Sequence, residues 1–145
     1  MAYYADTSFL VSLYVQDAFS TRAHAWLAAH PVALPLTEFG RTELRNALTR
    51  LVFTGASTSQ QNAAAWQLVE EDVKQGRLTV TAVSWADVFS HAEQLVAQHT
   101  AQLGARTLDI VHVASAQILG AADFVSFDSR QASLASAVGL VWHLP

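Results

Sequence analysis

The chain has 145 residues, 52% of them apolar, with twelve acidic against eight basic side chains and no cysteine. That is one domain's worth of chain with apolar material enough for a core, and it excludes disulfides, zinc–thiolate sites and thiol nucleophiles. The net charge of −4 argues against a generic basic nucleic-acid binder, and no apolar run approaches membrane-spanning length. The opening Met1-Ala2-Tyr3-Tyr4-Ala5-Asp6 lacks a basic stretch followed by a long apolar run, so it does not read as a signal peptide. A soluble cytoplasmic protein is the expectation. No repeat, tail or linker interrupts the sequence, and residues 1–145 read as a single domain.

Residues 2–5 predict a short strand ending at Asp6, and Leu10, Val11 and Tyr14 suggest a short helix behind it. Residues 18–29 read as a helix with Ala23, Trp26 and Leu27 on one stripe, stopped by His30-Pro31. The apolar run 32–36 predicts a second strand, and Thr37 a cap for a helix to about Phe53, ended by Gly55. Residues 58–75 predict another amphipathic helix; Gly76 punctuates, and 77–83 alternates as a third strand. Ser84 is placed to cap a long helix over 85–103 closed by Gly104, and Thr107 to cap the next, 108–119, closed by Gly120. Residues 124–127 predict a buried strand, 129–137 a last helix and 139–144 a final strand. The alternation implies an α/β sandwich with a mainly parallel sheet. In such sheets sites form at the C-terminal strand ends, which directs attention to polar residues just past each strand.

Four carboxylates occupy such places. Asp6 follows the first strand and Asp128 a later one, in Val125-Ser126-Phe127-Asp128. Asp109 lies in the first turn of its helix, and Glu43 in the first half of the helix after strand two. On that helix Leu44, Leu48, Leu51 and Val52 face the core, and Glu43, Ala47 and Arg50 form a different stripe. Each acid alone has an ordinary reading: Asp109 as a helix-dipole partner or mate of Arg106, Asp128 as a cap, Asp6 as a turn residue, Glu43 as a surface acid. Together they occupy positions that converge if the sheet is parallel. Clustered carboxylates repel one another unless a cation compensates. All-oxygen ligands without cysteine favour Mg²⁺ or Mn²⁺ over zinc, and a hard cation with open positions suits phosphodiester hydrolysis. Setting these four acids aside leaves eight against eight Lys and Arg, so the net charge resides in the site.

With their flanks, the four acids resemble the PIN-domain nucleases, and in particular the VapC toxins. The matching pieces are Asp6-Thr7-Ser8-Phe9-Leu10, Thr42-Glu43-Leu44-Arg45-Asn46-Ala47-Leu48, Arg106-Thr107-Leu108-Asp109-Ile110-Val111-His112-Val113-Ala114 and Ser126-Phe127-Asp128-Ser129-Arg130-Gln131. Their order and spacing span nearly the whole chain. The resemblance implies a three-layer α/β/α sandwich. It also implies Mg²⁺- or Mn²⁺-dependent endoribonuclease activity, with Asp6, Glu43, Asp109 and Asp128 as the acidic metal-binding set. It gives the Ser8 hydroxyl a role in orienting water or a carboxylate. Ser126 stands where the family often has Thr, Ser or Asn beside the last acid. It further implies an RNA substrate and a cognate antitoxin that wraps the helical face.

Other residues have two readings each. His112 lies one turn after Asp109 and can contact a carboxylate or RNA, or be a packed core histidine. Arg41, Arg45 and Arg50 can contact phosphate or form a solvated face; Arg106 and Arg130 flank the site and are the better RNA-contact candidates. Asn46 can bond the acidic cluster or point to water. Asp123, five residues before Asp128, reads as a turn or cap, and Glu38 competes with Glu43 but has a helix-dipole explanation. Trp26, Phe53, Trp66, Trp85 and Phe89 read as core or interface before nucleobase platforms. Apolar helix faces left over after core packing suit a homodimer seam or an antitoxin groove. The alternative function is a non-catalytic interaction module on the same scaffold. Phosphotransfer folds using Asp6 as nucleophile fit poorly: Ser8 stands where a second Asp is needed, and the only lysine is Lys74, mid-chain.

Overall fold

The computed structural model describes residues 3–145. Met1 and Ala2, the latter part of the first expected strand, lie outside the described residues. The chain divides into two compact units. One runs to Asp6 and resumes over Ala82–Leu144; the other is Thr7–Thr81 together with Pro145.

The first unit is built on a three-stranded parallel sheet, β1 (Tyr3–Ala5), β4 (Asp123–Val125) and β5 (Val141–His143), in the order β1-β4-β5. Ala5 pairs with Val125, and Val125 with His143, so all three strands end at one edge. Tyr4, Ala5, Phe124 and Val125 are buried, which is what continuous apolar runs in a parallel sheet require. The helices are α5 (Trp85–Leu95), α6 (Ala101–Leu103), α7 (Thr107–Ile118) and α8 (Ser129–Ala137). Every residue of α7 from Asp109 to Ala116 is buried, and the helix packs against α5 and α8. The long helix expected over 85–103 is corrected at Val96–Thr100, which form a π-helical turn between α5 and α6. A second correction concerns Thr107. It is the first residue of α7, with Arg106 in the cap position, because the Asp109 carboxylate reaches back to accept the Arg106 backbone N–H at 3.1 Å.

The second unit carries a two-stranded parallel ladder, β2 (Leu34–Leu36) and β3 (Leu78–Val80), with helices α1 (Thr7–Tyr14), α2 (Ser20–Ala29), α3 (Glu38–Phe53) and α4 (Ser59–Lys74). Thr37 caps α3 as expected, its hydroxyl accepting the Gly40 N–H at 3.0 Å. Thr58 and Gln61 form a reciprocal capping box on α4. Phe9, Leu10, Trp26, Leu44, Leu48 and Val69 are buried, whereas Leu51 and Val52 are only half-buried. Buried Tyr14 ties α1 to α4 by donating its hydroxyl to Asp72 Oδ2 at 2.6 Å, and Arg77 Nε donates to Asp72 Oδ1 at 2.7 Å. Burial, then the adjoining Asp72 carboxylate, holds the Tyr14 phenol far above its ordinary value.

Candidate active site

The C-terminal edge of β1, β4 and β5 organises three of the four acids. Asp6 directly follows β1, and its backbone N–H continues the ladder to the Val125 carbonyl at 3.1 Å. Because Ala5 and Val125 are in register, the next residues, Asp6 and Ser126, emerge side by side. Ser126 Oγ donates to Asp6 Oδ2 at 2.5 Å, and both residues are buried, at 0% and 1% exposure. A carboxylate so far from water needs such charge-assisted bonds. The same Ser126 oxygen accepts the Asp128 N–H at 2.8 Å.

Asp128 starts α8. Its Oδ1 accepts the N–H groups of Arg130 at 2.9 Å and Gln131 at 3.3 Å, so it does cap the helix. Gln131, 6% exposed, then reaches from α8 to α7, where its Nε2 donates to Asp109 Oδ1 at 3.1 Å. Asp6, Asp109 and Asp128 therefore belong to one network whose links are Ser126 and Gln131. The amide oxygen of Gln131 is buried and has no hydrogen-bond partner among the described residues. Among those residues, too, no three His, Asp or Glu side chains are gathered closely enough to hold a metal ion between them. The acids are joined through neutral side chains rather than carboxylate to carboxylate.

The fourth acid belongs to the other unit. Glu43 lies half-buried on α3 and accepts a hydrogen bond from the Thr7 hydroxyl. Ser8 sits half-buried in the first turn of α1, and its carbonyl accepts from Ser12 Oγ at 3.3 Å. Arg106 and Arg130 are exposed, Arg130 directly after the Asp128 cap. His112 is a packed histidine, 1% exposed, with Nδ1 2.8 Å from the Tyr4 hydroxyl. Asp123 opens β4 and pairs with His143 Nε2 at 2.7 Å. The roles of Gln131 and Thr7 were not read from the sequence. The available signals were their positions: Thr7 adjoins Asp6, and Gln131 lies one helical turn beyond Asp128.

Parallel strands that deliver acidic side chains to one edge, with another acid on an adjoining buried helix, define an α/β domain with an acidic site. The chain belongs to the PIN domain family, whose model matches residues 3–137 and so runs through both units. No curated protein matches the chain by sequence. Among solved structures it is similar to VapC20 of Mycobacterium tuberculosis, a sarcin-ricin loop cleaving toxin. The two are 21% identical over 99% of this chain and 100% of that one, with a TM-score of 0.72. It is also similar to VapBC2 from Rickettsia felis bound to a DNA fragment from its promoter, at 17% identity over 99% and 98% of the chains and a TM-score of 0.66. VapBC-1 from nontypeable Haemophilus influenzae gives 17% identity over 99% and 97%, with a TM-score of 0.61. At these identities the likeness is one of fold. No helix among the described residues is long and apolar enough to cross a membrane.

Proposed function

We propose that this chain is a divalent-cation-dependent endoribonuclease that hydrolyses RNA phosphodiester bonds, and that it is the toxin of a cytoplasmic toxin–antitoxin pair. The observation that carries the reading is the network of Asp6, Ser126, Asp128, Gln131 and Asp109 in a chain of the PIN domain family. The fold likeness to a sarcin-ricin loop cleaving toxin and to two VapBC proteins supports the toxin assignment, a single PIN domain and an antitoxin partner. Exposed apolar side chains, Phe53 and Leu68 on one unit and Phe89 and Val96 on the other, supply surface for that partner or for a second copy.

The donors fit a hard cation. They are carboxylate oxygens, with the orphaned amide oxygen of Gln131 as a further acceptor beside them. Mg²⁺ keeps several waters and is commonly held by only one or two carboxylates, so a preformed cage of three is not required. Asp6, Asp109 and Asp128 would hold Mg²⁺ or Mn²⁺, with Glu43 as the fourth acid on the strength of its sequence motif. A bound cation supplies activation of water and neutralisation of phosphate charge. The chain's own part is to fix the acids. Ser126 pins Asp6, Gln131 sets the carboxyl plane of Asp109, and the N-terminus of α8 orients Asp128. Thr7 holds Glu43, and Ser8 is assigned to orienting water or a carboxylate. Arg106 and Arg130, both exposed, are assigned to RNA phosphates.

The test is incubation of the purified protein with total RNA and Mg²⁺ or Mn²⁺. Cleavage is expected to stop with EDTA and to fall by about 10²-fold or more in Asp6→Asn, Glu43→Gln, Asp109→Asn and Asp128→Asn. Folded variants that cut as well as wild type refute the assignment.

A further inference from the structure

On the second unit, α3 and α4 border an open groove of about 400 Å³ lined by Arg41, Thr42, Arg45, Asn46, Thr49 and Trp66. Two guanidinium groups lie over the half-buried Trp66 indole, Arg41 at 5.0 Å and Arg45 at 4.4 Å from the ring centroid. Arg41 is neutralised by an ion pair with Glu70. Arg45 is not: among the described residues no carboxylate pairs with its guanidinium, whose one partner is the indole. In a chain of net charge −4, a cation held against a ring and left without an acid is an anion seat.

The neighbouring groups say which anion. Thr42, Arg45, Asn46 and Thr49 form one stripe along α3. The Thr42 hydroxyl donates to the Glu38 carbonyl at 3.0 Å, and the Thr49 hydroxyl donates to the Arg45 carbonyl at 2.8 Å and accepts the Asn62 amide at 3.4 Å, so each keeps acceptor capacity, Thr49 the less of the two. The exposed Asn46 amide has no partner among the described residues. A lone guanidinium takes an anion, and an amide and hydroxyls beside it match the donors and acceptors of a base or ribose, so the groove suits a nucleotide, whose phosphate takes the cation. We propose that this groove is an RNA-binding subsite, in which Arg45 holds a backbone phosphate and Asn46 with the two threonines meets the base or ribose. The proposal rests on the nuclease reading for RNA as the ligand, and it deepens that reading. Asn46 is three residues along α3 from Glu43, so the subsite would lie beside that acid on one helix.

The test is fluorescence anisotropy with a short fluorescein-labelled single-stranded RNA in EDTA, where binding is read without cleavage. Arg45→Gln, at an exposed position, is expected to bind about five- to tenfold more weakly at about 0.1 M salt. Its plot of log affinity against log salt should be shallower by about 0.7, the loss of one phosphate contact on a single strand. Arg45→Lys keeps the slope, and Asn46→Ala weakens binding without changing it. Unchanged affinity and slope in Arg45→Gln overturn the proposal. So does polyglutamate displacing the RNA from wild type as readily as unlabelled RNA does but failing to displace it from Arg45→Gln, which marks the groove as a surface for an acidic protein. The two readings fail separately. Weaker binding by Arg45→Gln of a protein that never cuts RNA supports the subsite and refutes the nuclease, whereas Mg²⁺-dependent cutting with unaltered Arg45→Gln binding does the reverse.

Discussion

Replacing Ser126 by alanine removes one oxygen that serves two partners. Its hydroxyl donates to the Asp6 carboxylate at 2.5 Å and accepts the Asp128 N–H at 2.8 Å. Ser126 is 0% and Asp6 1% exposed, so water does not replace the lost bond without reorganisation. A hydrogen bond to a charged group contributes about 1.5–3 kcal/mol and an ordinary one about 1 kcal/mol. The expected destabilisation of Ser126→Ala is therefore about 2–4 kcal/mol. That is a large share of the roughly 5–15 kcal/mol that holds a domain folded. At this chain length it corresponds to a fall in Tm of about 5–15 °C. Urea unfolding followed by circular dichroism gives the midpoint and slope, and Ser126→Thr, which keeps the hydroxyl, should recover most of the loss. RNA cleavage should drop by about 10- to 100-fold in the alanine variant even where it is fully folded, because Asp6 loses its orientation. A midpoint shift worth less than about 0.5 kcal/mol at unchanged slope would refute the claim that this hydroxyl supports the buried carboxylate.

Gln131→Leu removes both the bond to Asp109 and the buried amide oxygen that lacks a partner. The two effects oppose, so the urea midpoint should move by less than about 1 kcal/mol while RNA cleavage falls by about 10-fold or more; unaltered cleavage refutes a positioning role. Tyr14 gives a prediction for alkaline stability. Its phenol is raised in the folded state, first by burial and then by Asp72. Its contribution is therefore complete below the unfolded value of about 10 and is lost progressively as pH rises past it. Wild type should lose more stability than Tyr14→Phe between about pH 9 and 11, measured as urea midpoints, and parallel curves would contradict the assignment.

The parts of the fold that sequence reasoning reached best are those with local chemical signals. Thr37 and Ser84 cap the expected helices, and each strand ladder is parallel, as the alternation of elements implied. The strands are shorter than their apolar runs: Leu34–Leu36 rather than 32–36, and Val141–His143 rather than 139–144. Apolar residues report burial, whereas strand ends are set by which backbone groups find ladder partners. Arg106 displaced Thr107 from the cap because a carboxylate three residues on can serve an N–H that propensity assigns to a hydroxyl. The π turn at Val96–Thr100 has no compositional mark that separates it from an α-helix. In the site, the acids were legible because they follow strands or open helices. Gln131 was not, because its partner Asp109 lies on another helix and only tertiary packing brings the amide to it.

The bond between Asp6 and Ser126 joins residues 120 positions apart in the chain. During synthesis, a ribosome-bound product that has not yet reached β4 holds the first acid with neither the serine that fixes it nor the strand beside it. Such distant pairings form late and slowly. The buried link between Asp6 and Ser126 is therefore completed only once β4 has been made and has paired with β1.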